Sequence, residues 1–122
     1  MLSAGIDLIE VKRVEETIAR YGDRFLTRVF TANELQYCRG RAHQLAARFA
    51  AKEAVSKALG VGIQHRDGVS WREIEIVSDA RGKPAVRLTG KAARRAAQSN
   101  LKNFAISLSH TRAHAIALVV AE

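Results

Sequence analysis

Between positions 11 and 21 the apolar residues Val11, Val14, Ile18 and Tyr21 recur at three- and four-residue intervals. Lys12, Arg13, Glu15, Glu16 and Arg20 fall on the other faces. That spacing predicts an amphipathic helix, and Gly22 supplies its stop. Ahead of it, residues 2–9 are small or apolar except for Asp7, which predicts a short buried strand. Residues 23–30, with Phe25, Leu26, Val29 and Phe30, read as a connector. Thr31 followed by Glu34 is a capping box for a short helix over 32–39. Residues 42–59 hold seven alanines and neither Gly nor Pro, so they predict a long helix that ends at Gly60.

The pattern then changes period. Gly60, Gly62 and Gly68 mark 60–70 as a loop. Glu73-Ile74-Glu75-Ile76 alternates polar and apolar, as a strand does. Asp79-Ala80-Arg81-Gly82-Lys83-Pro84 carries turn residues, and Val86 and Leu88 begin a return strand. Residues 90–99, with Lys91, Arg94 and Arg95 among alanines, predict an exposed helix. Phe104 to Leu108 alternates again, and Ala115 to Val120 is apolar throughout, which predicts burial on both faces.

Length and composition narrow the class. A chain of 122 residues with 48% hydrophobic content is expected to fold as one domain over 1–122 around a core of its own. No apolar run approaches the ~20 residues that span a bilayer. The first residues lack the basic and apolar regions of a signal peptide. The single cysteine, Cys38, makes no internal disulfide and suits a reducing cytoplasm. Paired with His43 it is a weak zinc suggestion without a second pair of ligands. Twenty Lys and Arg against twelve Asp and Glu leave a charge of +8, which attracts polyanions of any kind.

The chemistry-bearing residues sit in four places. Asp7 lies in an apolar strand, where a carboxylate needs a salt bridge or a ligand. Positions 46, 50, 53 and 57 share one stripe of the long helix. Ala46 and Ala50 let that stripe approach a neighbour closely, and Glu53 and Lys57 continue it. Glu53 and Lys57 fit a surface i,i+4 ion pair, while Asp7 and Glu53 together fit two ligands of one Mg²⁺, completed by water and phosphate oxygens. Gly60 and Gly62 fit a helix cap with a loop, or a backbone approach to a ligand. Ser107-Leu108-Ser109-His110-Thr111 ends a strand, where histidine and hydroxyls serve either a turn or a phosphate.

Gly5-Ile6-Asp7, the run Arg48 to Gly60 with its Phe-Ala-Ala-Lys-Glu-Ala segment, Gly82-Lys83-Pro84, and Ser107 to Thr111 together resemble the 4′-phosphopantetheinyl transferase family in its short bacterial type. The resemblance spans nearly the whole chain. It implies an α+β fold, an antiparallel sheet packed with a long helix, and a homotrimer with active sites between subunits. It implies Mg²⁺-dependent transfer of 4′-phosphopantetheine from coenzyme A to a serine of apo acyl carrier protein, releasing adenosine 3′,5′-bisphosphate, in fatty acid biosynthesis. It places Asp7 and Glu53 on the metal and Lys57 near the CoA pyrophosphate. Arg48, Ser56, Gly60, Gly62, His110 and Thr111 fall toward the rest of CoA, and Lys83-Pro84 near its adenine. Val61 stands where some members have Thr. An acidic carrier gives the charge a purpose, with Arg13, Arg20, Arg24 and Arg28 steering its docking. The proton acceptor for the serine is left open between a water and a carboxylate.

Two other readings compete. The surplus charge and Lys91-Ala92-Ala93-Arg94-Arg95 suggest a nucleic-acid binder, but aromatics are 6% of residues and no recognition motif is present. A non-catalytic oligomeric module would tolerate loss of Asp7 and Glu53.

Overall fold

The computed structural model describes residues 1–122. In chain order it contains β1 (Ser3–Glu10), α1 (Val11–Tyr21), α2 (Asp23–Val29), α3 (Ala32–Cys38), α4 (Ala42–Leu59), β2 (Ile74–Ser78), β3 (Pro84–Leu88), α5 (Gly90–Gln98), β4 (Phe104–His110) and β5 (His114–Ala121). The fold is α+β. Strands β1, β5 and β4 form one antiparallel sheet in that order, and β2 and β3 form a separate antiparallel hairpin. No helix is long and apolar enough to cross a membrane.

The alanine-rich α4 is the axis of the molecule. It packs on both β1 and β5, with Ala50, Ala51, Ala54 and Val55 fully buried. Its small side chains let β1 come to backbone contact, and a Cβ at Gly5 would run into the Ala54 carbonyl. Asp7 is therefore carried close to the middle of α4. On one flank α4 buries Ile74, Ile76, Ala117 and Val119, and on the other Val11, Val14, Phe30 and Leu45.

Three expectations are corrected. Residues 23–29 form α2 rather than a connector, because Gly22 at φ 55° turns the chain and both it and Asp23 start a new turn. β1 is buried on one face only. Ala115 to Val120 is likewise buried on one face, through Ala115, Ala117 and Val119. The opposite face of the sheet shows Ile6, Leu8, Leu118 and Val120 to solvent, in the pairs Ile6–Leu118 and Leu8–Ile116. One layer of helix covers one side of a sheet, and this chain has no second layer.

The capping box at Thr31 and Glu34 forms as the sequence suggests. Glu34 does more than cap. Its side chain is fully buried, pairs with Lys52 Nζ at 2.8 Å, and accepts from the Ile76 backbone N–H at 2.8 Å. Lys52, with no exposed surface, also donates to the carbonyls of Trp71 and Ile74. This polar knot ties α3, α4 and β2 together. Burial pushes the Lys52 pKa down, and Glu34 beside it pulls it partly back.

Candidate functional site

A cavity of about 340 Å³ opens where β1, α1 and α4 meet. Asp7 and Glu53 both line it, with Arg13, Thr17, Phe25 and Phe49. Lys57 Nζ donates to the Asp7 carboxylate at 3.1 Å and to the Ile6 carbonyl at 2.8 Å. The expected Glu53–Lys57 ion pair does not form, because the lysine reaches across to β1 instead. Burial, and then the neighbouring Asp7, push the Glu53 carboxyl above its ordinary value, while Lys57 opposes them. Two carboxylates thus share one cavity, and one of them lacks a cation. That donor set, two hard anionic oxygens without a third protein ligand, fits a Mg²⁺ that takes its other oxygens from water and phosphate.

The arginines of the first helices continue from this cavity. Arg13 belongs to it directly and also borders a shallow site with Glu16, Thr17, Arg20 and Tyr21. Arg24 and Arg28 frame an adjoining cavity of about 560 Å³ with Thr17, Tyr21 and Phe25. Thr17 and Phe25 are shared with the Asp7 and Glu53 cavity. The sequence does not mark them, because a Thr on an amphipathic helix and a Phe in an apolar connector both read as packing. Arg28 is tethered by a 2.6 Å hydrogen bond to Gln64.

Arg48 lies elsewhere along α4. It is 2% exposed, donates to Gln44 at 2.8 Å and to Ser78 Oγ at 2.9 Å, and stacks 4.4 Å from the Tyr37 ring. Its Nε is buried without an acceptor. Ser78 pairs with Pro84 across the hairpin, and Tyr37 Oη approaches Gly82, so Arg48 and the Lys83-Pro84 turn form one neighbourhood. Ser56 is buried and its hydroxyl donates to the Glu53 carbonyl at 2.7 Å. Gly60 closes α4 at φ 73°, and Gly62 sits in the loop beyond it.

His110 ends β4, and its ring stacks 4.8 Å from that of His43 on α4. Thr111 Oγ1 accepts from the His114 N–H at 3.1 Å, so this hydroxyl organises the β4–β5 turn. His43 and Glu53 lie ten residues apart on one helix, about 15 Å along its axis. Within one chain, His110 and the Asp7 and Glu53 cavity stay apart. Cys38 is fully buried and has no second cysteine or zinc ligand set.

The site is thus a paired carboxylate, Asp7 on one strand and Glu53 on one helix, with Lys57 bonded to Asp7. Residues 3–119 match the model of the 4′-phosphopantetheinyl transferase superfamily, and the chain belongs to that family. It is 48% identical to a holo-[acyl-carrier-protein] synthase of Herpetosiphon aurantiacus over 98% of both chains, and 47% identical to one of Dehalococcoides mccartyi. That second match covers 100% of this chain and 99% of the relative. The crystal structure of Helicobacter pylori holo-[acyl-carrier-protein] synthase in complex with coenzyme A superposes with a TM-score of 0.88 at 32% identity. It covers 98% of this chain and 99% of that one.

Proposed function

We propose that the protein transfers 4′-phosphopantetheine from coenzyme A to a serine of apo acyl carrier protein and releases adenosine 3′,5′-bisphosphate. The observation that carries this reading is the cavity in which Asp7 and Glu53 meet beside Lys57, within a full-length match to the family. Asp7 and Glu53 would hold Mg²⁺, which supplies charge neutralisation for the pyrophosphate when bound. Lys57, anchored by the Ile6 carbonyl and Asp7, offsets negative charge on the departing bisphosphate. Phe25 and Phe49 form an apolar wall of the cavity. Ser56 fixes the turn of α4 that carries Glu53. Arg48 and the Lys83-Pro84 turn, Gly60 and Gly62, and His110 with Thr111 take the rest of CoA.

The acidic carrier docks on Arg13, Arg20, Arg24 and Arg28, which lead from the outer face of α1 and α2 to the cavity through Arg13 and Thr17. We infer a cyclic homotrimer, supported by the apolar outer face of the β1–β5–β4 sheet. In that assembly His110 of one chain would complete the cavity of its neighbour, a reading supported by the separation of His110 from Glu53 within a chain. The whole of 1–122 acts as one transferase unit in the cytoplasm, serving fatty acid biosynthesis.

Incubation with CoA, Mg²⁺ and an apo carrier tests the reading. The carrier should gain the mass of one phosphopantetheine, and a carrier of unchanged mass would refute it.

A further inference from the structure

A second polar cavity, of about 210 Å³, lies between α5 and the loop after α4. It is lined by Lys91, Arg94, Arg95 and Gln98 on one side, and by Val61, Asp67, Gly68 and Val69 on the other. It shares no lining residue with the Asp7 and Glu53 cavity. Three cations face it against one carboxylate, and none of the three makes an ion pair within the chain.

Arg95 is the fixed point of this cavity. Its Nε donates to the Leu59 carbonyl at 3.0 Å, which holds the half-buried guanidinium over the end of α4. Its two terminal nitrogens have no acceptor in the protein. A guanidinium held in this way presents a planar fork that loses less side-chain entropy on binding. The facing wall is equally constrained. Gly68 is buried, and a Cβ there would strike the Gly62 carbonyl. Gly62 O accepts from the Val69 N–H at 3.0 Å, and Gln64 N–H donates to Val69 O at 2.7 Å. The α5 N-terminus is itself filled, because the Glu73 carboxylate accepts from the Lys91 N–H. The available positive charge is therefore that of the three side chains.

We propose that this cavity is an anion-binding site for a phosphoryl group, held by the Arg95 fork with Lys91 and Arg94. Arg–phosphate pairs are charge-assisted and bidentate, which suits one anchored guanidinium flanked by two mobile cations. The site extends the transferase reading without depending on it. Two sources share this chemistry: a phosphate of the CoA-type substrate, or a separate phosphorylated ligand.

The test is an amide NMR titration of the whole chain with inorganic phosphate and then pyrophosphate, in the absence of CoA and carrier. The amides of Gly60, Val61, Gly68, Lys91 and Arg94 should shift saturably, and an Asp7→Ala chain should respond in the same way. The exposed pair Lys91→Ala/Arg94→Ala, which spares the Arg95 bond to α4, should weaken that response by about tenfold or more. Shifts that do not saturate, or that survive unchanged in the double variant, would overturn the proposal. Transfer assays on the double variant then separate the sources. A raised KM for CoA assigns the site to the substrate's phosphate, and an unchanged KM assigns it to another phosphorylated ligand. Loss of all transfer in the wild type would refute the transferase reading while leaving the phosphate titration standing.

Discussion

Glu53 is a residue whose environment opposes its charge. Burial and Asp7 raise its pKa in the folded chain above the ordinary 4.5, so the folded state holds this proton more tightly than the unfolded one. Its contribution to stability is present below pH 4.5 and is lost as pH rises through the raised value. At neutral pH, without metal, Glu53→Gln should therefore melt at a higher temperature than the wild type. At pH 4 the two should converge, as calorimetry at both pH values would register. Mg²⁺ should raise the melting temperature of the wild type more than that of Glu53→Gln. Asp7→Ala and Glu53→Ala should each lower transfer by about two orders of magnitude or more while circular dichroism reports an intact fold. The sequence pointed to both carboxylates, since one stood in an apolar strand and the other on an alanine stripe. It could not show that Lys57 would choose Asp7 over Glu53, because that choice depends on β1 lying against α4.

The elements divide into those that local pattern describes and those that tertiary contact decides. α1, α4 and their glycine stops follow the sequence residue for residue, because amphipathic spacing and alanine content act locally. α2 was hidden because Phe25, Leu26, Val29 and Phe30 suit a connector as well as one face of a two-turn helix. Lys52 was hidden too, since a lysine on a helix reads as exposed until α3 and β2 enclose it. Lys52→Met leaves Glu34 buried without its cation and should cost about 3–5 kcal/mol, read as a lower urea midpoint. On α1, reversing Arg13 and Arg20 to Glu should raise the KM for the carrier several-fold. Because Arg13 also borders the Asp7 and Glu53 cavity, Arg20→Glu alone is the cleaner variant, and its KM for CoA should stay unchanged. An equal rise for CoA would assign these arginines to the nucleotide.

At the scale of the whole molecule, the sheet has one covered face and one bare one. Leu8 is 62% exposed, Ile6 54% and Leu118 44%, on paired strands. The uniform apolarity of Ala115 to Val120 signalled a second buried face, which a single chain does not provide. Sedimentation should show a species of three chain masses at micromolar concentration. Mixing inactive Glu53→Ala chains with inactive His110→Ala chains should restore part of the activity, because the two residues would meet only across a subunit boundary. A trimer without such rescue would mean that His110 does not complete the neighbour's Asp7 and Glu53 cavity. The most direct measurement is the intact mass of an apo carrier after incubation with CoA and Mg²⁺, with the wild type and Asp7→Ala run side by side. The account predicts a gain of one phosphopantetheine with the wild type and almost none with Asp7→Ala. No gain with the folded wild type, or an equal gain with both, would contradict it.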